Sequence, residues 1–140
     1  LIHVLKLPHM YYLSAQPDEL YFKWQLEVLV YNFHQLNIPA DKIHILIFYK
    51  PDAGVNPIFE ELTREMGDKA RFFFYEDNRV KNIISHLQDH MLSRNILPRT
   101  HTWKMRIFSI MTLISSFGNY PILIGYAMEI PGTYQTREVI

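Results

Sequence analysis

Two segments of the chain hold the residue types that could grip a polar ligand. In Lys50-Pro51-Asp52-Ala53-Gly54 an ammonium stands two positions from a carboxylate, a pairing able to meet a phosphate and a ribose hydroxyl. The glycine spacing of a P-loop or of a dinucleotide fingerprint is missing, so an ordinary turn competes with that reading. In Glu76-Asp77-Asn78-Arg79 two acids could take a divalent cation or a ribose hydroxyl, against the alternative of a solvated loop. His86 and His90 stand four apart, a spacing that can set two imidazoles over one metal on a helix. Glu does not follow His86 and no third ligand is assignable, so a solvated helix face is the competing reading. His3, His9, His34, His44 and His101 show no pairing. Arg94, Arg99, Lys104 and Arg106, interleaved with His101 and Trp103, could meet phosphates while an aromatic stacks on a base. The chain is neutral and carries no nucleic-acid motif. No nucleic-acid partner is therefore expected, and an anion or nucleotide phosphate is the preferred ligand for these cations.

The elements that must position these residues follow from apolar patterning. Ile2 to Leu7, closed by Pro8, has the length and β-branching of a buried strand. Pro17-Asp18-Glu19 suits a helix first turn, and a helix is expected over 18–36, burying Leu20, Trp24, Val28 and Tyr31 beside Leu29, Phe33 and Leu36. Ile43 to Tyr49 is a nearly continuous apolar run, as in a central parallel strand covered on both faces. Pro57 to Met66, ended by Gly67, predicts a second helix. Ala70 to Tyr75 predicts a third strand, 82–92 a third helix, and Ile122 to Tyr126 a further strand. The order βαβαβ predicts a three-layer α/β domain with a mainly parallel, Rossmann-like sheet and right-handed crossovers. In such sheets ligands lie beyond the carboxyl ends of the strands, here Pro8 to Gln16, Lys50 to Asn56 and Glu76 to Arg79.

The 140 residues suit one domain, and with 49% hydrophobic residues they can bury a core. There is no cysteine, which removes disulfides and thiolate metal sites and permits a reducing compartment; a cytoplasmic location is the expectation. The chain begins Leu1-Ile2-His3 without Met or a secretory layout, which leaves open that it is a fragment of a longer protein or a trimmed chain. Residues 1–89 carry twelve acids against nine bases, whereas 90–128 carry four bases and no acid. Within that stretch 107–128 is uncharged over a length that could span a bilayer. Ser109, Thr112, Ser115, Ser116 and Gly118-Asn119-Tyr120-Pro121 divide it into pieces of core-element length, so membrane association is the lesser expectation.

Tyr21-Phe22-Lys23-Trp24-Gln25, followed by Val28, Asn32, Leu36 and Ile38 and then by the run Ile43 to Phe48, resembles the opening of a GT-A-type glycosyltransferase domain over residues 2–85. The resemblance implies a nucleotide-sugar or nucleoside-diphosphate ligand. It assigns nucleotide contacts to the loop Pro8 to Ser14, including His9 and Tyr11, and to the neighbourhood of Asp52 and Asp77, with Lys50 beside them and with Trp24 and Gln25 supporting the first loop. Manganese or magnesium would be the metal of such a site. Its usual Asp-x-Asp holder is missing, because no acid occurs between Asp89 and Glu129. Arg94, Arg99, Lys104 and Arg106 are then the available cationic clamp for the diphosphate, with Arg99 and Arg106 assigned to it first. The alternatives are a non-catalytic binding or assembly domain, homo-oligomeric through Ile107 to Phe117, and a membrane-associated protein through 107–128.

Overall fold

The computed structural model describes residues 10–77, 83–94, 96, 104–109 and 124–129, the last two stretches as backbone. The expected strand Ile2 to Leu7 lies outside these residues, as do His9 and Arg99. Among the described residues five strands form one sheet in the order β3-β2-β1-β5-β4. β1 is Met10–Pro17, β2 Ile43–Tyr49, β3 Arg71–Glu76, β4 Lys104–Ser109 and β5 Ile124–Glu129. β1, β2 and β3 are parallel, while β5 runs antiparallel to both β1 and β4. Three helices, α1 (Leu20–Gln35), α2 (Pro57–Met66) and α3 (Ile83–Ser93), follow the three parallel strands in turn. The chain is thus a mixed α/β fold built on βαβαβα.

Alternation along the strands divides the molecule into three layers. Met10 and Tyr12 of β1 and Ile43, Ile45 and Ile47 of β2 bury against Leu26, Leu29, Val30 and Phe33 of α1 and Phe59 and Leu62 of α2. The intervening residues Leu13, Leu46 and Phe48 face the other way, against Leu87 and Met91 of α3. Two crossovers in one direction along the sheet put α1 and α2 on the same side when both are right-handed. The third helix covers the opposite face.

The first parallel strand is displaced from its expected place: the segment 10–16, read as a loop, is β1. It lacks the β-branched residues that signal a strand, and two inward positions are polar. Those positions are satisfied internally, since Ser14 Oγ donates to Gln16 Oε1 at 2.7 Å and Gln16 Nε2 donates to the Leu46 carbonyl at 2.9 Å. α1 is also turned from its expected face. Gln25, Leu26, Leu29, Val30 and Phe33 are buried, whereas Leu20, Tyr21 and Tyr31 are 64%, 56% and 56% exposed. Two apolar stripes lie side by side on this helix, and periodicity alone does not choose between them. Trp24 is half-buried, and the first loop it was expected to support is strand β1 from Met10 onward.

Local chemistry sets the helix ends. α1 closes with Asn37 at φ 61°, Asn37 N–H donating to His34 O and Ile38 N–H to Phe33 O, while buried Ile38 joins Phe33 in the core. That is a Schellman closure with its apolar contact, and Asn tolerates the left-handed position better than most residues. α2 begins at Asn56, whose Oδ1 accepts from Ile58 N–H, with Pro57 in the first turn. Gly67 ends α2 with right-handed φ −64°. A Cβ there would stand 2.8 Å from the Thr63 carbonyl, so glycine is required for space and not for φ.

The uncharged run 107–128 is not one element. Its described ends lie in β4 and β5, paired Ile107↔Tyr126 and Ser109↔Ile124. Among the described residues no helix is long and apolar enough to cross a membrane.

Candidate functional site

A half-open cleft of about 560 Å³ lies at the carboxyl ends of the parallel strands. Its lining comes from the end of β1 (Pro17, Asp18, Glu19), the end of β2 (Phe48, Lys50), the loop into α2 (Ala53 to Pro57) and the residue after β3 (Asp77). Backbone bonds hold these three ends together. Asp18 N–H donates to Phe48 O at 3.0 Å and Asp77 N–H to Tyr49 O at 2.8 Å, extending the parallel ladder one residue past each strand.

The α2 side of the cleft is fixed by a reciprocal clasp. Asp18 Oδ2 accepts from Asn56 N–H at 2.8 Å, and Asn56 Nδ2 donates to the Asp18 carbonyl at 3.2 Å. Asn56 is therefore both the cap of α2 and the tie between β1 and α2. The helix terminus is spent in this arrangement. Pro57 has no N–H, Ile58 N–H donates to Asn56 Oδ1, and Phe59 N–H donates to Asn56 O. A phosphate in the cleft would not be held by the start of α2, in contrast to a P-loop.

The 50–54 loop is a tight turn in which Ala53 N–H and Gly54 N–H both converge on Lys50 O, at 3.1 and 2.9 Å. Gly54 sits at φ 72°, a conformation that glycine adopts without strain. The turn aims the exposed Lys50 at the cleft. Among the described lining residues this one cation stands against Asp18, Glu19 and Asp77. Among the described residues no group of three His, Asp or Glu is placed to hold a metal ion.

The structure thus brings together two of the expected site residues, Lys50 and Asp77, and leaves others elsewhere. Asp52 is exposed on the same turn but does not line the cleft. Tyr11 lies at the opposite end of the sheet, where its hydroxyl accepts from Lys42 Nζ at 3.1 Å and its ring carries the same ammonium at 4.2 Å. The displacement of β1 explains this, because Tyr11 is near the start of the strand and not beyond its end. Arg106 pairs with Ala127, Ala127 with Tyr12, and Tyr12 with Ile43, the first residue of β2. Arg106 is therefore level with the amino end of the parallel strands, about 16 Å along the sheet from Pro17 at ~3.3 Å per residue.

The histidine pair on α3 is divided. His86 packs edge-on against Phe48, ring centroids 4.8 Å apart, close behind the cleft. His90 is buried and bonded to His44 and to Tyr75, so it is neither a solvated residue nor a metal partner of His86. Asp18 and Asn56, which set the geometry of the cleft, were not singled out from the sequence. The local signal was present in Asn56-Pro57, a cap followed by a first-turn proline. Comparison with protein-family models, with curated proteins and with solved structures gives no match to this chain.

Proposed function

We propose that the cleft binds a nucleoside diphosphate or nucleotide-sugar, and that the chain is a glycosyltransferase-like sugar-nucleotide domain. The observation that carries this reading is the meeting of Lys50 and Asp77 at the carboxyl edge of three parallel strands, in a cleft of about 560 Å³, a volume suited to a small ligand. Lys50 supplies the charge for a phosphate oxygen, and Asp77 a carboxylate acceptor for ribose hydroxyls. Asp18 is held by Asn56 and serves as scaffold. The resemblance of Tyr21 to Gln25 and of Ile43 to Phe48 to a GT-A opening supports the same assignment of ligand class.

The test is calorimetric titration with uridine and guanosine diphosphates and their sugar conjugates, with and without manganese. Lys50→Ala should weaken binding by roughly tenfold to a hundredfold, as expected for a lost charge-assisted bond of about 1.5–3 kcal/mol. A second reading, a non-catalytic assembly module, is favoured by the exposed Leu20, Tyr21 and Tyr31 of α1. It predicts no nucleotide affinity, together with self-association that Leu20→Glu and Tyr31→Glu abolish.

A further inference from the structure

Beneath α3 runs a chain of titratable side chains that the cleft does not use. His44 of β2 and His90 of α3 are 5% and 2% exposed. His44 Nε2 lies 3.0 Å from the Asp41 carbonyl, His44 Nδ1 2.9 Å from His90 Nε2, and His90 Nδ1 2.5 Å from the Tyr75 hydroxyl. A carbonyl oxygen can only accept, so His44 Nε2 carries a proton, and with both rings neutral, the state that burial favours, the other protons follow. His44 Nε2–H donates to Asp41 O, His90 Nε2–H donates to His44 Nδ1, and Tyr75 O–H donates to His90 Nδ1. In this arrangement all four ring nitrogens are used.

An added proton forces this arrangement to change. On His90 it occupies Nδ1 and confronts the Tyr75 O–H, which must turn away. On His44 it occupies Nδ1 and confronts the His90 N–H, so that His90 must shift its own proton toward Tyr75. The surroundings offer little compensation. Tyr11 of β1 meets His44 edge-on at 5.8 Å, and Phe73 of β3 packs on both rings at 5.1 and 4.4 Å. Arg71 of β3 and Arg94 at the end of α3 oppose a positive charge on His44, and Arg94 opposes one on His90. Asp41, in the turn before β2, favours charge on His44, while Lys42 beside it adds a further cation near Tyr11. Among the described residues His86 and Asp89, also on α3, complete the charged or titratable groups here: His86 packs on Phe48, and Asp89 is exposed.

We propose that the His44–His90 contact is an acid-sensitive latch, through which mild acidification releases α3 from the sheet while the layer formed by α1 and α2 stays folded. The two faces differ in strength. α3 is held by Leu87 and Met91 against Leu13, Leu46 and Phe48, whereas the opposite face joins thirteen buried residues. Burial is the main cause that pushes His90 down to about 4 and also lowers His44. Between the ordinary value of 6.5 and about 4, released α3 takes up a proton that docked α3 refuses, so acid draws the equilibrium toward release.

Amide hydrogen exchange at about pH 7 and about pH 5, corrected for intrinsic rates, tests the latch. Protection over 83–93 should fall by roughly tenfold or more at the lower pH, while protection over 20–35 is unchanged. His90→Gln, which removes the more strongly shifted of the two rings, should cut the pH dependence of exchange over 83–93 and leave only the part due to His44. Should that variant not fold, imidazole NMR titration of the wild-type chain decides, with both rings expected to titrate well below 6.5. Ordinary titration of either ring, pH-independent protection of 83–93, or equal loss of protection over 20–35 would overturn the proposal.

Discussion

Truncating Asn56 to alanine probes the junction on which the cleft depends. The change removes the side-chain oxygen that accepts from Ile58 N–H at 3.1 Å and the amide that donates to the Asp18 carbonyl at 3.2 Å. Loss of an N-cap costs about 0.5–2 kcal/mol, and a second, half-buried neutral hydrogen bond adds about 0.5–1. Asn56→Ala should therefore destabilise by about 2 kcal/mol. Asp18→Ala removes the carboxylate that accepts from Asn56 N–H at 2.8 Å, a charge-assisted bond at a half-buried site, and should cost about 1–2 kcal/mol. The two changes act on one strand-to-helix tie, so the double variant should lose less than the sum, with coupling of about 0.5–1 kcal/mol. Urea unfolding followed by circular dichroism measures all three, and equal m-values license the comparison. Asn56→Asp, which keeps a capping oxygen but loses the donor to the Asp18 carbonyl and sets a second carboxylate beside Asp18, should recover only the capping part of the loss. Losses below about 0.3 kcal/mol for both single variants, or strict additivity, would refute the reasoning that Asn56 and Asp18 hold this edge together.

Further expectations follow from other contacts. Gly54→Ala should cost about 1–2 kcal/mol, because φ 72° strains an L residue even though no atom lies within 4 Å of the added Cβ; its midpoint in urea checks this. Asn37→Gly should slightly raise the melting temperature by relieving the left-handed cap of α1 at φ 61°. Phe59→Ala, at a fully buried site, should lose about 3–5 kcal/mol in the same unfolding assay. Stability should be fully present above pH 6.5 and decline as the pH falls toward about 4, because His90 in the folded chain resists a proton that the unfolded chain accepts. The size of that decline is on the order of 3 kcal/mol, read from urea midpoints across the range.

The parts of the fold legible in the sequence are those written in local chemistry. Asn56-Pro57 and Gly67 bracket α2, and the run Ile43 to Tyr49 marks a strand covered on both faces, so these elements have their expected bounds. β1 was hidden because Ser14 and Gln16 occupy inward positions and are satisfied only by each other and by the Leu46 carbonyl. β4 mixes Lys104 and Arg106 with apolar residues and becomes a strand by pairing with β5. The phase of α1 was ambiguous because Leu20 and Tyr31 extend an apolar stripe beside the buried one. For the cleft, the rule that ligands lie beyond the carboxyl ends of parallel strands found Lys50 and Asp77. The same rule misplaced Tyr11 once its strand had been set eight residues too early. The His44–His90 contact joins residues 46 apart in sequence and exists only when α3 lies on the sheet, so no local pattern could announce it.

Titration of the chain with uridine diphosphate and guanosine diphosphate, compared with Lys50→Ala and Asp77→Asn, tests the central claim most directly. The account predicts saturable one-to-one binding of at least one of these nucleotides, weakened by roughly tenfold or more in each variant while both remain folded. Absence of binding, or binding that neither substitution changes, would contradict the assignment of the cleft.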